Sequence, residues 1–355
     1  MMGGVLESVD EKPGSLRRVI EDAFTLKLPS IAEAMSYQFN PERKLVHCRG
    51  LSFEVVLNDA RLTYVRNTLE KLRNSKHISE SHGVTKKNTK HSLQPHQTAP
   101  GDTNCSLCAV EVNPLLIKNV ELGRKQYALV MNKRPWGFHN FMLVTMDAQP
   151  QAMTRTELLA SFELLRHLGS DYEGIFTGVG AGASVYHFHL QVHKGSAMIW
   201  RHLESGSLKP LMVFSSNGVT VKSCDGWPAR MFLFEGASLE GLATTIQCMI
   251  ETLAKGDNDF PYNIGFRYTC GRVQLILIPR SGIEQPTCIL GHPNSWGRFG
   301  FLEMAGSVFL LSPSLFETIE DSAESIYEAI AEMSIGASQE ALLINAFRES
   351  VANLR

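Results

Sequence analysis

Residues 186–194 alternate polar and apolar side chains with a strict period of two. The polar series consists of His187, His189, Gln191 and His193. The apolar series consists of Phe188, Leu190 and Val192. Successive side chains of a β-strand point to opposite faces, so this pattern predicts a strand with one face in a core. The other face presents imidazoles and an amide about 6–7 Å apart, a row that can hold a nucleophilic histidine against a phosphorus centre.

A glycine-rich stretch, residues 178–184 with the sequence Gly-Val-Gly-Ala-Gly-Ala-Ser, comes directly before this strand. Glycines let the backbone bring N–H groups close to an anion. A phosphate-binding turn that leads into a histidine strand indicates nucleotide chemistry. A single histidine on a strand is more often structural, but several after such a turn favour a site. The three histidines of this strand lie too far apart along it to meet one metal ion.

Composition excludes several classes of protein. The chain has 355 residues, 44% of them apolar, which suits one large domain or two of ordinary size. Its net charge of −2 gives no general attraction to nucleic acid or anionic membranes. No apolar run reaches membrane-spanning length, and residues 1–8 lack signal-peptide features. Seven cysteines, scattered apart from Cys105 and Cys108, favour a reducing, cytoplasmic location with free thiols and at most one metal site.

The order of predicted elements is that of an α+β protein with helices packed on a mostly antiparallel sheet. Helices are predicted at residues 14–36, 154–169, 238–254, 314–333 and 338–354. Strands are predicted at residues 51–58, 127–132, 138–146, 173–177, 186–194, 229–235, 262–268 and 271–279. Thr154 and Glu157 suggest a capping box, and Ser338 an N-cap. Residues 76–104 are polar and are expected to form a long solvated loop.

The segment His187-Phe-His189-Leu-Gln191 resembles the His-x-His-x-Gln motif of the nucleotidyltransferase branch of the histidine-triad superfamily. Within that branch, the chain looks most like the diadenosine tetraphosphate phosphorylases, also called ATP adenylyltransferases. Galactose-1-phosphate uridylyltransferases and GDP-galactose phosphorylases are more distant in resemblance. Further segments that resemble the family follow in order: Asn132-Lys133 with Pro135 and the strand after it, Gly182-Ala183-Ser184, Tyr262-Asn263 with Ile278-Pro279-Arg280, and Asn294-Ser295-Trp296-Gly297 with Phe299-Gly300.

The resemblance implies a histidine-triad-like (galactose-1-phosphate uridylyltransferase-like) fold made of two pseudo-repeated halves, only the first carrying a nucleophile. Residues 1–75 would add a helix and strands to the core, and 76–104 would form a flexible loop. Residues 105–205 would form the catalytic half. Residues 206–355 would form the second half with the C-terminal helices.

The resemblance also implies site residues and a mechanism. His189 would attack the α-phosphorus of a nucleotide while its other ring nitrogen donates to a neighbour such as a backbone carbonyl. Gln191 would bind a non-bridging oxygen, and its neutral amide would let the nucleotidyl-histidine survive until phosphate arrives. No cofactor is required for this transfer. The nucleotide- and phosphate-binding residues would be Asn132, Lys133, Gly182, Ala183, Ser184, His187, Asn294, Ser295, Trp296 and Phe301.

Three positions depart from the family pattern. Phe176 stands where the family usually has Asn, Ala305 where it has a phosphate-binding Lys, and Phe301 where it has Met. Loss of the cation at position 305 is expected to weaken the grip on a long polyphosphate.

A structural zinc site is a further expectation. Cys105-x-x-Cys108 resembles the zinc pair of the uridylyltransferases, in which the first histidine of the motif is also a ligand. His187 would therefore bind zinc with Cys105 and Cys108, with Asp147 as candidate fourth ligand, or it would orient the strand through a hydrogen bond. His193 is expected to be structural or at the substrate rim. His139 is expected to pack in the core or to support the site residues, and not to be catalytic.

The leading expectation is a nucleotide phosphorylase that converts a dinucleoside polyphosphate and phosphate into two nucleotides, such as diadenosine tetraphosphate into ATP and ADP. A GDP-hexose phosphorylase and a non-catalytic nucleotide-binding protein are the alternatives. The expected partners are the nucleotide and phosphate, without nucleic acid or membrane. The sequence leaves open whether the chain is a monomer or a homodimer.

Overall fold

The computed structural model describes residues 14–35, 41–57, 105, 107–108, 113–132, 135–216, 218–255, 260–283, 299–310 and 312–352, and for 27–35 the backbone alone. Its strands are β1 (Glu42–Cys48), β2 (Leu51–Leu57), β3 (Leu116–Leu122), β4 (Lys125–Met131), β5 (Phe138–Thr145), β6 (Tyr172–Thr177), β7 (His189–Lys194), β8 (Lys209–Ser216), β9 (Val219–Asp225), β10 (Phe232–Gly236), β11 (Tyr262–Thr269), β12 (Arg272–Pro279) and β13 (Ser307–Leu310). Its helices are α1 (Ser15–Met35), α2 (Arg155–Leu168), α3 (Met198–Glu204), α4 (Leu239–Leu253), α5 (Phe301–Met304), α6 (Pro313–Thr318), α7 (Ala323–Glu332) and α8 (Ala337–Ala352).

A ten-stranded antiparallel sheet with the order β3-β4-β5-β7-β6-β11-β12-β10-β9-β8 forms the centre of the fold. Its two halves have the same connectivity. Each half is a three-stranded meander, then a helix (α2 or α4), then two strands of which the second inserts between the meander and the first. The halves meet where β6 pairs with β11. The predicted pseudo-repeat is therefore present, and β12 occupies in the second half the place of β7 in the first.

One face of the large sheet is covered by α1, α2, α4 and α8. The reason is visible in α1, where Leu16, Ile20 and Phe24 recur every four residues and are all buried. Phe188, Leu190 and Val192 from the histidine segment belong to this same apolar cluster. The predicted apolar face of the histidine strand is confirmed.

The opposite face carries a three-stranded sheet with the order β1-β2-β13, in which β13 runs parallel to β2. Helices α3, α5, α6 and α7 pack with it. A second apolar cluster fills this layer, with Trp200, Phe53 and Trp227 among its largest side chains. The polar side chains of β7 therefore lie between the large sheet and this second layer.

Several element boundaries differ from the sequence predictions. The helix predicted at 314–333 is divided by a 3₁₀ turn, Ile319–Ser322, into α6 and α7. Ser338, the predicted N-cap, lies inside α8, which begins one residue earlier at Ala337. Gly336 precedes the helix and donates its N–H to the Gln339 side chain at 2.9 Å. The Thr154 hydroxyl contacts the Glu157 carboxylate and does not cap an N–H of α2.

The histidine strand is shorter than predicted. It begins at His189 because the residues before it pair with a turn: Phe188 N–H donates to Gln149 O at 2.9 Å, and His187 bridges Pro150. Five strands were missing from the prediction: β1, β3, β8, β9 and β13. The loop predicted at 76–104 lies outside the described residues. Among the described helices, none combines the length and apolarity that crossing a membrane requires.

Candidate active site

His189 lies on β7, near the centre of the large sheet between β5 and β6. Its Nδ1 is 2.9 Å from the backbone oxygen of His187. A carbonyl oxygen can only accept, so Nδ1 carries the hydrogen and the neutral ring keeps its lone pair on Nε2. Burial, with 6% of the residue exposed, lowers the pKa of His189 and keeps the ring neutral at pH 7. This is the protonation form that a nucleophilic histidine requires, and the predicted backbone contact is present.

Gln151 holds the backbone of His189, and sequence reasoning missed this residue. Its Oε1 accepts the N–H of His189 at 2.8 Å, and its Nε2 donates to the C=O of His189 at 3.1 Å and of Thr177 at 3.0 Å. The residue is 4% exposed, and its amide connects β6 and β7 beyond the Ile175–Gln191 pair, where the direct pairing of the two strands ends. A glutamine in a turn carries no periodicity that would have revealed this role.

Gln191 follows His189 on the same side of β7 and is half-buried. Its Oε1 accepts the indole N–H of Trp136 at 2.6 Å. Across the sheet it pairs with Ile175 on β6 and Met142 on β5. The strand geometry therefore places a neutral amide next to the imidazole, as the sequence predicted.

The glycine-rich turn is fixed by close backbone packing. Gly182 has a φ of +105°, and a Cβ there would lie 2.7 Å from the backbone oxygen of Phe299. A side chain at this position is excluded on both grounds. Ala181 and Ala183 donate their N–H groups to Gly178 O at 3.0 and 3.3 Å. Of the three residues predicted to bind phosphate here, Ala183 thus uses its N–H inside the turn. The N–H groups of Gly182 and Ser184 have no hydrogen-bond acceptor among the described residues.

Arg280 ties this turn to the second half of the molecule. Its guanidinium is 1% exposed and donates to Ala181 O at 3.1 Å, Phe299 O at 2.8 Å and the side-chain oxygen of Asn263 at 2.6 Å. Burial lowers the pKa of Arg280 to about 10, so it stays charged at neutral pH. Asn263 Nδ2 also donates to Ala181 O, at 3.0 Å. The Tyr262-Asn263 and Ile278-Pro279-Arg280 segments therefore meet at the turn.

Asn132 is anchored to the same sheet. Its N–H donates to Asn140 O at 3.0 Å, and its Nδ2 donates to the Asn140 side chain at 2.8 Å. Asn140 in turn donates to Val192 O on β7 at 3.0 Å. Asn132 is thus connected to the strand that carries His189. Four further predicted ligands lie outside the described residues: Lys133, Asn294, Ser295 and Trp296.

The three positions that depart from the family pattern are all buried. Phe301 packs on Gly265, where a Cβ would overlap the phenyl ring, so its side chain is a core residue at 1% exposure. Phe176 stacks with Phe188 and Tyr262. Ala305 is fully buried, so this position offers no ligand to a phosphate.

Cys105, Cys108 and His187 form a compact group whose ligand atoms lie within 4.8 Å of one another. His187 Nδ1 is 3.3 Å from Cys108 Sγ and 3.8 Å from Cys105 Sγ. A tetrahedral zinc ion places nitrogen and sulfur ligands about 3.6 Å apart. His187 Nε2 lies 2.8 Å from Thr145 O, which fixes the hydrogen there and turns the Nδ1 lone pair toward the sulfurs. These residues fit zinc.

Asp147 is not part of this group, and its assignment as fourth ligand was wrong. Its carboxylate accepts from Gln149 at 2.8 Å and lies 3.7 Å from Lys125 Nζ, with 57% of the side chain exposed. The Asp147 carboxylate therefore lies at the protein surface and not beside the cysteines.

The two other histidines considered for the site, His193 and His139, have structural partners. His193 Nε2 is 3.3 Å from the buried carboxylate of Glu173. His139 Nδ1 is 2.9 Å from the Tyr172 hydroxyl, and its ring stacks on Phe24 at a centroid distance of 4.9 Å. His187, His189 and His193 therefore contact different groups, in keeping with a row that is too wide for one metal ion.

The sheet order and the helices packed on it define an α+β fold built on a ten-stranded antiparallel sheet. The particular structures that this chain resembles are those of the yeast Ap4A phosphorylase Apa2. The free enzyme matches with a TM-score of 0.59 and 13% identity over 93% of this chain and 96% of that chain. The complex with Ap4A matches with a TM-score of 0.60 and 13% identity over 93% of this chain and 99% of that chain. The complex with AMP matches with a TM-score of 0.60 and 14% identity over 94% of this chain and 100% of that chain.

These likenesses confirm the predicted fold class. No family model matches the chain, and no curated protein matches it. At 13–14% identity, the likeness to solved structures shows the fold alone.

Proposed function

We propose that this chain is a phosphorylase-type nucleotidyltransferase that acts on dinucleoside polyphosphates through a nucleotidyl-histidine on His189. One observation carries the proposal: the Nδ1–H of His189 is held by a backbone carbonyl, so the Nε2 lone pair is available beside the amide of Gln191. The fold shared with an Ap4A phosphorylase supports this reaction class.

The reaction has two displacement steps. Nε2 of His189 attacks the α-phosphorus, a P–N bond forms, and the P–O bond to the rest of the substrate breaks. An oxygen of inorganic phosphate then attacks the same phosphorus and releases the histidine. With diadenosine tetraphosphate, the first step releases ATP and the second releases ADP.

The surroundings of His189 suit transfer to phosphate. Gln191 is neutral and cannot activate water as a third histidine could. The low exposure of His189 limits the access of water to the intermediate. In this proposal the amides of Gly182 and Ser184 stabilise negative charge on phosphoryl oxygens, and Asn132 binds the ribose, an assignment made by resemblance.

A structural zinc ion at Cys105, Cys108 and His187 is part of the proposal. Zinc would cross-link the segment before β3 to the segment before β7, which adds stability to the folded chain. The carbonyl of His187 accepts the Nδ1–H of His189. Holding His187 in place would therefore also hold the group that sets the tautomer of His189. The transfer itself is carried by protein side chains.

The expected location and partners follow from the same features. Cysteines in the described part of the chain are free thiols, which fits a reducing cytoplasm. The partners that we propose are the nucleotide substrate and inorganic phosphate.

A GDP-hexose phosphorylase is the second candidate, and the burial of Ala305 favours it. The site lacks a cation at this position for a long polyphosphate chain, so a diphosphate is the better match. In that reaction His189 would take up GMP and release hexose 1-phosphate, and phosphate would then release GDP.

The test is a trapping experiment. The chain is incubated without phosphate with diadenosine tetraphosphate or with a GDP-hexose, and its intact mass is measured after quenching at alkaline pH. We expect one added nucleotidyl group, which disappears when phosphate is supplied. His189→Ala should show no adduct, whereas His47→Asn, at an exposed histidine on β1, should react like the wild type. An adduct on the His189→Ala variant would disprove the proposal, and tight binding without any adduct would identify a nucleotide sensor.

A further inference from the structure

The amide of Gln191 has a fixed orientation. The indole of Trp136 donates to its Oε1 at 2.6 Å. An indole N–H can donate but cannot accept, so the oxygen of the amide must be the atom that faces Trp136. The NH₂ group is then directed to the other side. It has no hydrogen-bond partner within the part of the chain that the structure describes.

This orientation matters for binding an anion. A side-chain amide turned by 180° exchanges its donor for an acceptor, and a carbonyl oxygen next to a phosphoryl oxygen is repulsive. We propose that Trp136 is a positioning residue, which fixes the amide of Gln191 with its NH₂ group toward the phosphoryl oxygens of the substrate. This inference rests on the proposed function, because it assigns the donor that Gln191 offers in that reaction.

Trp136 is itself held by two aromatic neighbours. Its indole packs edge-on against the ring of His193, with centroids 4.6 Å apart. Phe309, on β13 of the small sheet, lies 6.2 Å away in a similar edge contact. The indole is therefore clamped between the two sheets, and its N–H direction is set by packing.

His193 is immobilised in turn. Its Nε2 contacts the carboxylate of Glu173 at 3.3 Å. A Cβ at Gly137 would lie 3.1 Å from its Nδ1, and one at Gly195 would lie 3.2 Å from its ring, so both glycines allow close packing.

Glu173 completes the series and is 1% exposed. It accepts from the indole N–H of Trp200 at 2.6 Å and from the backbone N–H of Ala197 at 2.9 Å. These two bonds fix the carboxylate whether or not His193 is protonated. A continuous series of contacts therefore runs from Glu173 through His193 and Trp136 to Gln191, and it gives His193 a supporting role behind the site.

The kinetic test uses Trp136→Phe, which keeps the aromatic packing and removes the N–H. We expect kcat/KM for transfer to fall about two- to tenfold, the factor that one ordinary hydrogen bond is worth. In a Gln191→Met background, Trp136→Phe should have no further effect. Trp227→Phe is the matched control, since it too removes an indole donor, one whose acceptor is the Met304 carbonyl in the second core cluster. If the double variant lost activity by the product of the two single-variant factors, Trp136 and Gln191 would act independently, and the proposal would be overturned.

A stereochemical readout separates positioning from general damage. Sulfur is a poor hydrogen-bond acceptor, so the wild type should discriminate between the two diastereomers of an α-phosphorothioate substrate. Trp136→Phe should reduce this discrimination toward that of Gln191→Met, and Trp227→Phe should retain it. Full discrimination in Trp136→Phe would overturn the proposal.

A spectroscopic test decides the inference without turnover. The indole N–H resonance of Trp136, assigned by its loss in Trp136→Phe, should move upfield in Gln191→Met. Addition of AMP should shift the side-chain NH₂ signals of Gln191, and AMP should bind Trp136→Phe about two- to tenfold more weakly. An unmoved indole signal, or Gln191 signals that do not respond to AMP, would overturn the proposal. A wild-type chain that passes this test but transfers no nucleotide would refute the proposed reaction and leave the positioning intact.

Discussion

The side chain of Gln151 forms hydrogen bonds with both backbone groups of His189, the N–H at 2.8 Å and the C=O at 3.1 Å. The polypeptide at His189 is therefore held by a side chain from a turn, at the point where β7 begins. This arrangement fixes the direction in which the imidazole leaves the strand.

Gln151→Ala should consequently lower both stability and transfer activity. It leaves the buried N–H of His189 without an acceptor, which costs about 1–3 kcal/mol in the free energy of unfolding. Urea denaturation measures the first effect, and kcat at saturating substrate measures the second, with an expected loss of more than about tenfold. Gln149→Ala is the control two residues away, because the Gln149 side chain contacts Asp147 near the surface. Equal effects of the two substitutions would contradict this role of Gln151.

The sequence predicted those parts of the fold and site that follow from a periodic pattern of side chains. The period of two at His187–His193 gave the strand, its apolar face and the adjacency of His189 and Gln191, because alternation follows directly from strand geometry. The order of strands and helices also gave the α+β class. The presence of two pseudo-repeated halves was predicted through the resemblance, and the sheet order confirms it.

The supporting contacts could not be predicted. Three residues that support the site come close to it only once the chain is folded: Gln151, Trp136 and Arg280. Each lies in a turn or at a strand end, where no periodic pattern marks it. Edge strand β8 was also missed, since its side chains are largely exposed and lack an alternating apolar pattern. Asp147 was chosen for its position in sequence, but its side chain is exposed and contacts Gln149 and Lys125 instead of the cysteines.

The zinc proposal predicts one metal ion per chain. Cys108→Ser should reduce the zinc content measured by plasma mass spectrometry from about one ion per chain to near zero. Only two of the three protein ligands remain in this variant, and two ligands bind zinc weakly. A chelator should lower the thermal midpoint of the wild type and leave that of Cys108→Ser unchanged. Cys270→Ser, at an exposed free thiol, is the control and should retain the metal. A metal-free wild-type chain purified without chelator would refute the site.

The buried guanidinium of Arg280 predicts a large stability effect. Arg280→Met removes the hydrogen bonds to the carbonyl of Phe299 and to the side-chain oxygen of Asn263, at a cost of about 1–3 kcal/mol for each buried group that stays unpaired. The loosened turn should also weaken AMP binding, measured by calorimetry. Arg272→Met, at an exposed position on the same strand β12, should change the free energy of unfolding by less than about 0.5 kcal/mol. Similar losses in the two variants would show that the contacts of Arg280 are not responsible.

His139 predicts a pH dependence of stability. Burial, and secondarily the charge of Lys194, lower its pKa below the usual value of 6.5. As the pH falls through 6.5, the unfolded chain therefore binds a proton that the folded chain resists, and the free energy of unfolding decreases. This decrease is at most about 1.4 kcal/mol per pH unit and stops once the pH has passed the pKa of the folded state.

His139→Asn isolates this contribution. Asparagine tolerates the left-handed backbone of this residue, with a φ of +47°, and does not titrate. Urea denaturation at several pH values between about 7.5 and 5.5 gives the difference in unfolding free energy between wild type and variant. We expect that difference to shift steadily in favour of the variant as the pH falls, because the wild type alone loses the contribution of a neutral buried imidazole. A difference that is independent of pH would mean that the ring is protonated as easily in the folded chain as in the unfolded one.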